Sequence, residues 1–127
     1  MPTLIADLAA RGESGNPLRV GLIGAGKFGT MFLSQARRLH GLHVVGVADL
    51  SGARAMEACR RAGWPREQYG MTGTEAAIRT GGTWISEDAS ALIAAPGVDI
   101  TVEATGVPEA GVGHALQAIR HRRHVVM

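Results

Sequence analysis

The sequence predicts an α/β fold, a doubly wound parallel sheet, and three observations carry that prediction. Short apolar runs at residues 18–23, 43–48, 83–86, 99–104 and 124–127 alternate with segments of helical periodicity, the order expected of parallel strands joined by helical crossovers. The first run leads directly into Gly24-Ala25-Gly26-Lys27-Phe28-Gly29, a G-x-G-x-x-G turn. The second closes on Asp49, twenty residues after Gly29. Together these describe a dinucleotide-binding βαβ unit, and the chain reads as a Rossmann-type sheet truncated after about five strands.

Each element follows from local signals. Leu4, Ile5, Leu8 and Ala9 recur at helical spacing, and Arg11 to Pro17 then breaks the pattern with turn formers, so residues 1–17 read as a leading helix and linker. The run Leu18–Ile23 carries no charge after Arg19, as a central strand covered on both faces would. From Lys27 to His40, Phe28, Met31, Phe32, Gln35, Ala36 and Leu39 form one helical stripe, with Arg37 and Arg38 near the negative end of the helix dipole and Gly41 as a left-handed cap. His43–Ala48 is the second strand, and Ser51 caps a helix to Ala62 that carries a Glu57–Arg61 pair and stops at Gly63 and Pro65.

Between Trp64 and Thr83 only a short helix, Thr74–Arg79, is legible. Thr83–Ser86 reads as a third strand, Asp88–Ala94 as a helix closed by Pro96-Gly97, and Asp99–Ala104 as a fourth strand. Pro108 suits the first turn of the next helix, whose stripe is Val112, Ala115, Leu116 and Ile119. His124–Met127 opens a fifth strand. Right-handed crossovers order these strands third, second, first, fourth, fifth. Residues 18–127 are thus one dinucleotide-binding domain, with no substrate domain in the sequence.

Bulk composition narrows the partners. Thirteen basic and eleven acidic residues among 127 leave a formal charge of +2, too little to imply nucleic acid. A lone cysteine, Cys59, offers no internal disulfide, and neither a span of about 18 apolar residues nor a secretory leader is visible. A cytoplasmic chain without a membrane partner is expected, and a homo-oligomer is compatible with it.

The glycines and the acid have distinct chemical tasks. Gly24 permits the tight turn out of the strand, Gly26 lets backbone approach a pyrophosphate, and Gly29 lets the helix pack closely. The helix N-terminus, reached through Ala25, Lys27 and Phe28, presents unpaired N–H groups to phosphate. Asp49 would accept from the adenosine ribose hydroxyls and repel a 2′-phosphate, whereas Ser51 and Arg54 in the following turn would welcome one, so NAD and NADP both remain as cofactor. Thr105-Gly106 follows the fourth strand where the strand order reverses, a place for the nicotinamide ribose as well as a helix-entry turn. Glu103 is a carboxylate in an apolar strand, available to orient cofactor or substrate or to pair with an arginine.

Rival motifs fare worse. Gly21-x-x-x-x-Gly26-Lys27 meets most of a phosphate-loop pattern but places Phe28 where a Mg²⁺-binding hydroxyl belongs, and Lys27 reads as a solvated side chain. His121-x-x-His124 straddles a helix end with no third ligand nearby, so no metal is expected. Cys59 sits among Ala55, Met56 and Ala62 as a core thiol. An S-adenosylmethionine-dependent methyltransferase also uses a glycine-rich first turn and an acid ending the second strand, and the G-x-G-x-x-G spacing argues against it.

With Val20–Gly29, Val45–Leu50 and Val102–Gly106 in place, the chain resembles the homoserine-dehydrogenase-like oxidoreductases that carry a C-terminal SAF domain, a group with deoxyxylulose-phosphate-reductoisomerase-like members. The resemblance spans nearly the whole sequence. It implies cofactor contact at Gly24, Gly26, Gly29, Asp49 and Thr105, and use of NADPH by some members. It also implies a longer parent enzyme acting on a small polar substrate, with catalytic residues outside these 127 positions and this part inactive alone. The alternatives are a stand-alone dinucleotide sensor or one subunit of a split enzyme.

Overall fold

The computed structural model describes residues 3–127; Met1 and Pro2, part of the expected leading segment, lie outside it. Six parallel strands form one sheet: β1 (Leu18–Ile23), β2 (Leu42–Ala48), β3 (Tyr69–Met71), β4 (Thr83–Ser86), β5 (Ile100–Glu103) and β6 (His124–Val126). Their order across the sheet is β3-β4-β2-β1-β5-β6. The helices are α1 (Leu4–Glu13), α2 (Lys27–Ala36), α3 (Gly52–Arg61), α4 (Thr74–Thr80), α5 (Ala89–Ala94) and α6 (Pro108–Arg120).

The alternation of strand side chains divides the core between two faces. Val20 and Leu22 of β1 and Val44 and Val47 of β2 join Leu33, Ala36, Ala55 and Cys59 under α2 and α3. Ile23, Val45 and Ala48 face the other way, onto Ala77, Leu92, Ile93 and Ala118 of α4, α5 and α6. Between Val20 and Gly21 the pairing slips, so that Gly21 meets Gly46. A Cβ on Gly21 would lie 3.2 Å from Leu92 Cγ and one on Gly46 would overlap Leu92, so the two facing glycines form the seat of that side chain.

Each face also holds one tryptophan. Trp64 is 8% exposed in the first core and donates from Nε1 to the Leu33 carbonyl at 3.1 Å. Trp84 packs half-buried against the second. Burial pushes the Cys59 thiol up to about 12, consistent with a core role.

Four expectations need correction. The sheet has six strands where about five were expected. Tyr69-Gly70-Met71 is an edge strand without an apolar run, and Gly70 has φ 101°. Without β3, the expected strand order stands. The second helix ends at Ala36 instead of His40, because the N–H groups of Arg38 and Leu39 turn back to the carbonyls three residues earlier. Arg37 donates from Nη1 to the Gly63 carbonyl at 2.6 Å, past the end of α3.

The apolar stripes are the other two corrections. In α2 the buried residues are Gly29, Leu33 and Ala36, while Phe28 and Met31 are exposed. In α6 they are Gly111 and Ala118, while Val112, Leu116 and Ile119 point outward. Small residues allow a helix to lie closer to the sheet than a face of large ones would.

Candidate cofactor site

The site lies at the carboxyl ends of β1, β2 and β5, where the strand order reverses. Gly24 leaves β1 with φ 98°, a region that disfavours any side chain, and its N–H donates to the Ala48 carbonyl at 2.8 Å. A Cβ there would stand 2.7 Å from the Ala104 carbonyl carbon, so the chain leaving β5 crosses directly over the turn. A Cβ on Gly29 would run into the Gly24 carbonyl, which explains how α2 begins so close to the strand. Gly26 is the N-cap of α2, and no side chain bonds the helix's first N–H groups. Those donors fit an anion, and the cradle of three glycines fits a pyrophosphate.

Lys27 and Phe28 are both exposed beside this turn, and Ala25 lies buried within it. The Ala25 N–H donates to Asp49 Oδ1 at 2.9 Å, and the Ser51 N–H donates to Oδ2 at 3.0 Å. The Asp49 side chain is 9% exposed, with Arg54 Nε 3.7 Å away and itself 61% exposed. Asp49 therefore ties the glycine turn to the loop after β2. Its carboxylate oxygens have further lone pairs for ribose hydroxyls. Ser51 caps α3, its Oγ accepting from the Arg54 N–H at 3.2 Å. Arg54 reaches toward the turn, since a Cβ on Gly26 would lie 3.1 Å from its Nη2.

On the other side of β1, Thr105 and Gly106 follow β5. Gly106 is exposed with φ 71°. Thr105 donates to Glu103 Oε1 twice, from its N–H at 2.9 Å and from its hydroxyl at 2.5 Å, and its Oγ1 accepts from the Val107 N–H at 3.2 Å. Glu103 Oε2 meets His114 Nδ1. A carboxylate only accepts, so Nδ1 carries the proton of that bond. Burial alone pushes the Glu103 carboxyl up, but the bonds from Thr105 and His114 outweigh it and hold the group below its ordinary range. Among the described residues no arginine pairs with Glu103; its partners are Thr105 and His114.

A cleft of about 370 Å³ joins these two sides and is lined by Gly24, Asp49, Arg54, Thr105, Val107 and His114. A larger hollow of about 550 Å³ opens elsewhere, beside Arg19, Arg37, His40 and His43. It adjoins the amino ends of β1 and β2, away from the glycine turn, so the smaller cleft is the cofactor candidate. His114 is the site residue that sequence reasoning missed. The available signal was its place three residues after Gly111, on the small-residue face of α6. Among the described residues, no group of three or more His, Cys, Asp or Glu side chains is placed to hold a metal ion. No helix among them is long and apolar enough to cross a membrane.

Comparison with known proteins agrees with the geometry. The fold is similar to an NAD-binding oxidoreductase from Klebsiella pneumoniae (22% identity, TM-score 0.62, 86% of this chain and 26% of that one). It is also similar to myo-inositol dehydrogenase from Lactobacillus casei, solved with NAD(H) and myo-inositol (21%, TM-score 0.61, 86% and 27%). A third is an NAD-binding protein from Listeria innocua (22%, TM-score 0.55, 84% and 26%). The chain thus spans about a quarter of the length of these structures, 26% or 27%. No curated protein sequence matches it. Residues 18–127 match the GFO/IDH/MocA oxidoreductase family, NAD-binding Rossmann fold, and the chain belongs to that family.

Proposed function

We propose that this chain is the cofactor-binding part of a dehydrogenase whose substrate, a small polyhydroxylated or otherwise polar alcohol, is held by polypeptide outside these residues. The observation that carries the reading is the Gly24 turn, pinned between Ala48 and Ala104, with the uncapped start of α2 opening beside Asp49 and Thr105. In this assignment Gly24, Ala25, Gly26, Lys27, Phe28 and Gly29 surround the pyrophosphate, Asp49 the adenosine ribose, and Thr105 and Gly106 the nicotinamide side. The bound nicotinamide supplies hydride acceptance and donation. The chain's own residues orient it and exclude water around it.

The substrate class has two supports. The solved relative from Lactobacillus casei was captured with myo-inositol; the homoserine-dehydrogenase-like SAF resemblance rests on the quoted motifs alone and is matched by none of the solved structures named above. Both point to a secondary or primary alcohol with neighbouring polar groups. A split-enzyme subunit or a dinucleotide sensor is the second reading, and it uses the same cleft. Titration calorimetry with NADH and NADPH tests the common core of both readings: heat with a one-to-one stoichiometry is expected, and folded protein giving none at millimolar cofactor overturns them. Competition with S-adenosylmethionine, expected to leave NADH binding unchanged, separates the methyltransferase alternative.

A further inference from the structure

We propose that His114 recognises the nicotinamide-ribose half of the dinucleotide through Nε2, and that Glu103 is a positioning residue that aims the imidazole. The inference rests on the cofactor reading above and extends it to two residues outside the glycine turn. Asp49 and Glu103 flank β1 on opposite sides, so a dinucleotide whose adenosine half lies over Asp49 and whose pyrophosphate sits at α2 carries its second ribose toward the end of β5.

What waits there is a pre-bonded set. Glu103, 8% exposed, takes three hydrogen bonds: from the Thr105 N–H, the Thr105 hydroxyl and His114 Nδ1. The carboxylate is thereby satisfied without touching the cleft, and its remaining effect is to orient what it holds. His114 lines the cleft with 18% of its side chain exposed, and its Nδ1 is committed to Glu103. Nε2 has no hydrogen-bond partner among the described residues, although it is not a fully buried orphan. With Nδ1 bonded to Glu103, Nε2 is the ring nitrogen left to hydrogen-bond a ribose hydroxyl. Gly111, one turn before His114 on α6, packs beside the same carboxylate: a Cβ there would lie 3.6 Å from Glu103 Cγ, in ordinary contact.

Two near-isosteric replacements test the assignment in the 127-residue chain, read by calorimetry with NADH and, separately, ADP, which lacks the nicotinamide half. His114→Asn keeps an amide donor where Nδ1 was and removes Nε2. His114→Gln places a polar group near Nε2 and gives up the bond to Glu103. The expected result is that His114→Asn binds NADH about tenfold more weakly with ADP affinity within twofold of wild type, while His114→Gln recovers part of the NADH loss. Melting temperatures of both variants confirm that folded proteins are compared. A purely structural role predicts the reverse ranking, His114→Asn behaving as wild type and His114→Gln losing NADH and ADP alike, and that ranking overturns the inference. Wild-type affinity for NADH in both variants also overturns it and leaves the cofactor reading intact. Failure of the wild-type chain to bind either ligand overturns the cofactor reading itself.

Discussion

Asp49 and Glu103 are two nearly buried carboxylates at the ends of the strands flanking β1, yet they are satisfied in different ways. Asp49 accepts backbone N–H groups from the two loops it joins, with a mobile-length arginine side chain at 3.7 Å. Glu103 accepts from a threonine and a histidine, and the histidine stands on a helix that starts after the strand ends. The first carboxylate fixes main chain; the second, besides the Thr105 N–H, fixes a side chain whose Nε2 is left without a partner among the described residues. A carboxylate bound by backbone sets the shape of a site, and one bound by side chains passes its order on to them.

The strongest way to break this contrast is to disturb what lies between the two. Gly24→Val places a β-branched side chain at φ 98° against Ala104, and it is expected to cost about 3 kcal/mol and abolish NADH binding, read by chemical denaturation and calorimetry. Retention of both would mean that the turn can relax without moving either acid. Next, Asp49→Ala strands the Ala25 and Ser51 N–H groups; it should lose about 2 kcal/mol of stability and weaken NADH and ADP equally, by about tenfold. Unequal loss would show Asp49 acting beyond the adenosine half.

Acid sharpens the contrast further. The Glu103 carboxyl is held below its ordinary 4.5, so the unfolded chain takes up that proton first. Stability from this group is present above pH 4.5 and is lost as the pH falls through the lower folded value. His43 adds an earlier stage: burial, which outweighs its bond to the Gly82 carbonyl and is reinforced by the Arg19 charge, holds it below 6.5. The neutral ring thus contributes stability above pH 6.5 that declines as the pH falls toward its folded value. Denaturation across this range should show both losses in the wild type, while Glu103→Gln retains only the earlier one. Persistence of the later stage in that variant would assign it to another group.

The smallest effect belongs to the exposed Arg54. Arg54→Ala is expected to weaken NADPH about fivefold and NADH less than twofold, measured by parallel titrations, since of the two cofactors only NADPH offers its charge a 2′-phosphate, and its contact with Asp49 is long and screened by solvent. Equal effects on the two cofactors would remove Arg54 from cofactor choice.

The same contrast separates what the sequence disclosed from what it concealed. Asp49 was legible because it ends an apolar run at a fixed distance from a glycine turn, both of them local patterns. The Glu103–His114 pair spans eleven residues and arises only when α6 folds back along β5, and neither residue carries an apolar signal that would mark the pair. The stripes of α2 and α6 were misread for a related reason: periodicity finds large residues, whereas here Gly29, Gly111 and Ala118 face the sheet. Tyr69–Met71 escaped because a three-residue edge strand draws its identity from its neighbour β4, not from its own composition.

The division of the core between two faces gives the protein a spectroscopic use. Its two tryptophans fall one to each layer, Trp64 against α2 and Trp84 on the opposite side of the sheet. With Trp84→Phe the emission reports the first layer alone, and with Trp64→Phe the second. Coincident melting curves from the two variants would describe a single cooperative unit, and separated ones would reveal which layer loosens first on heating.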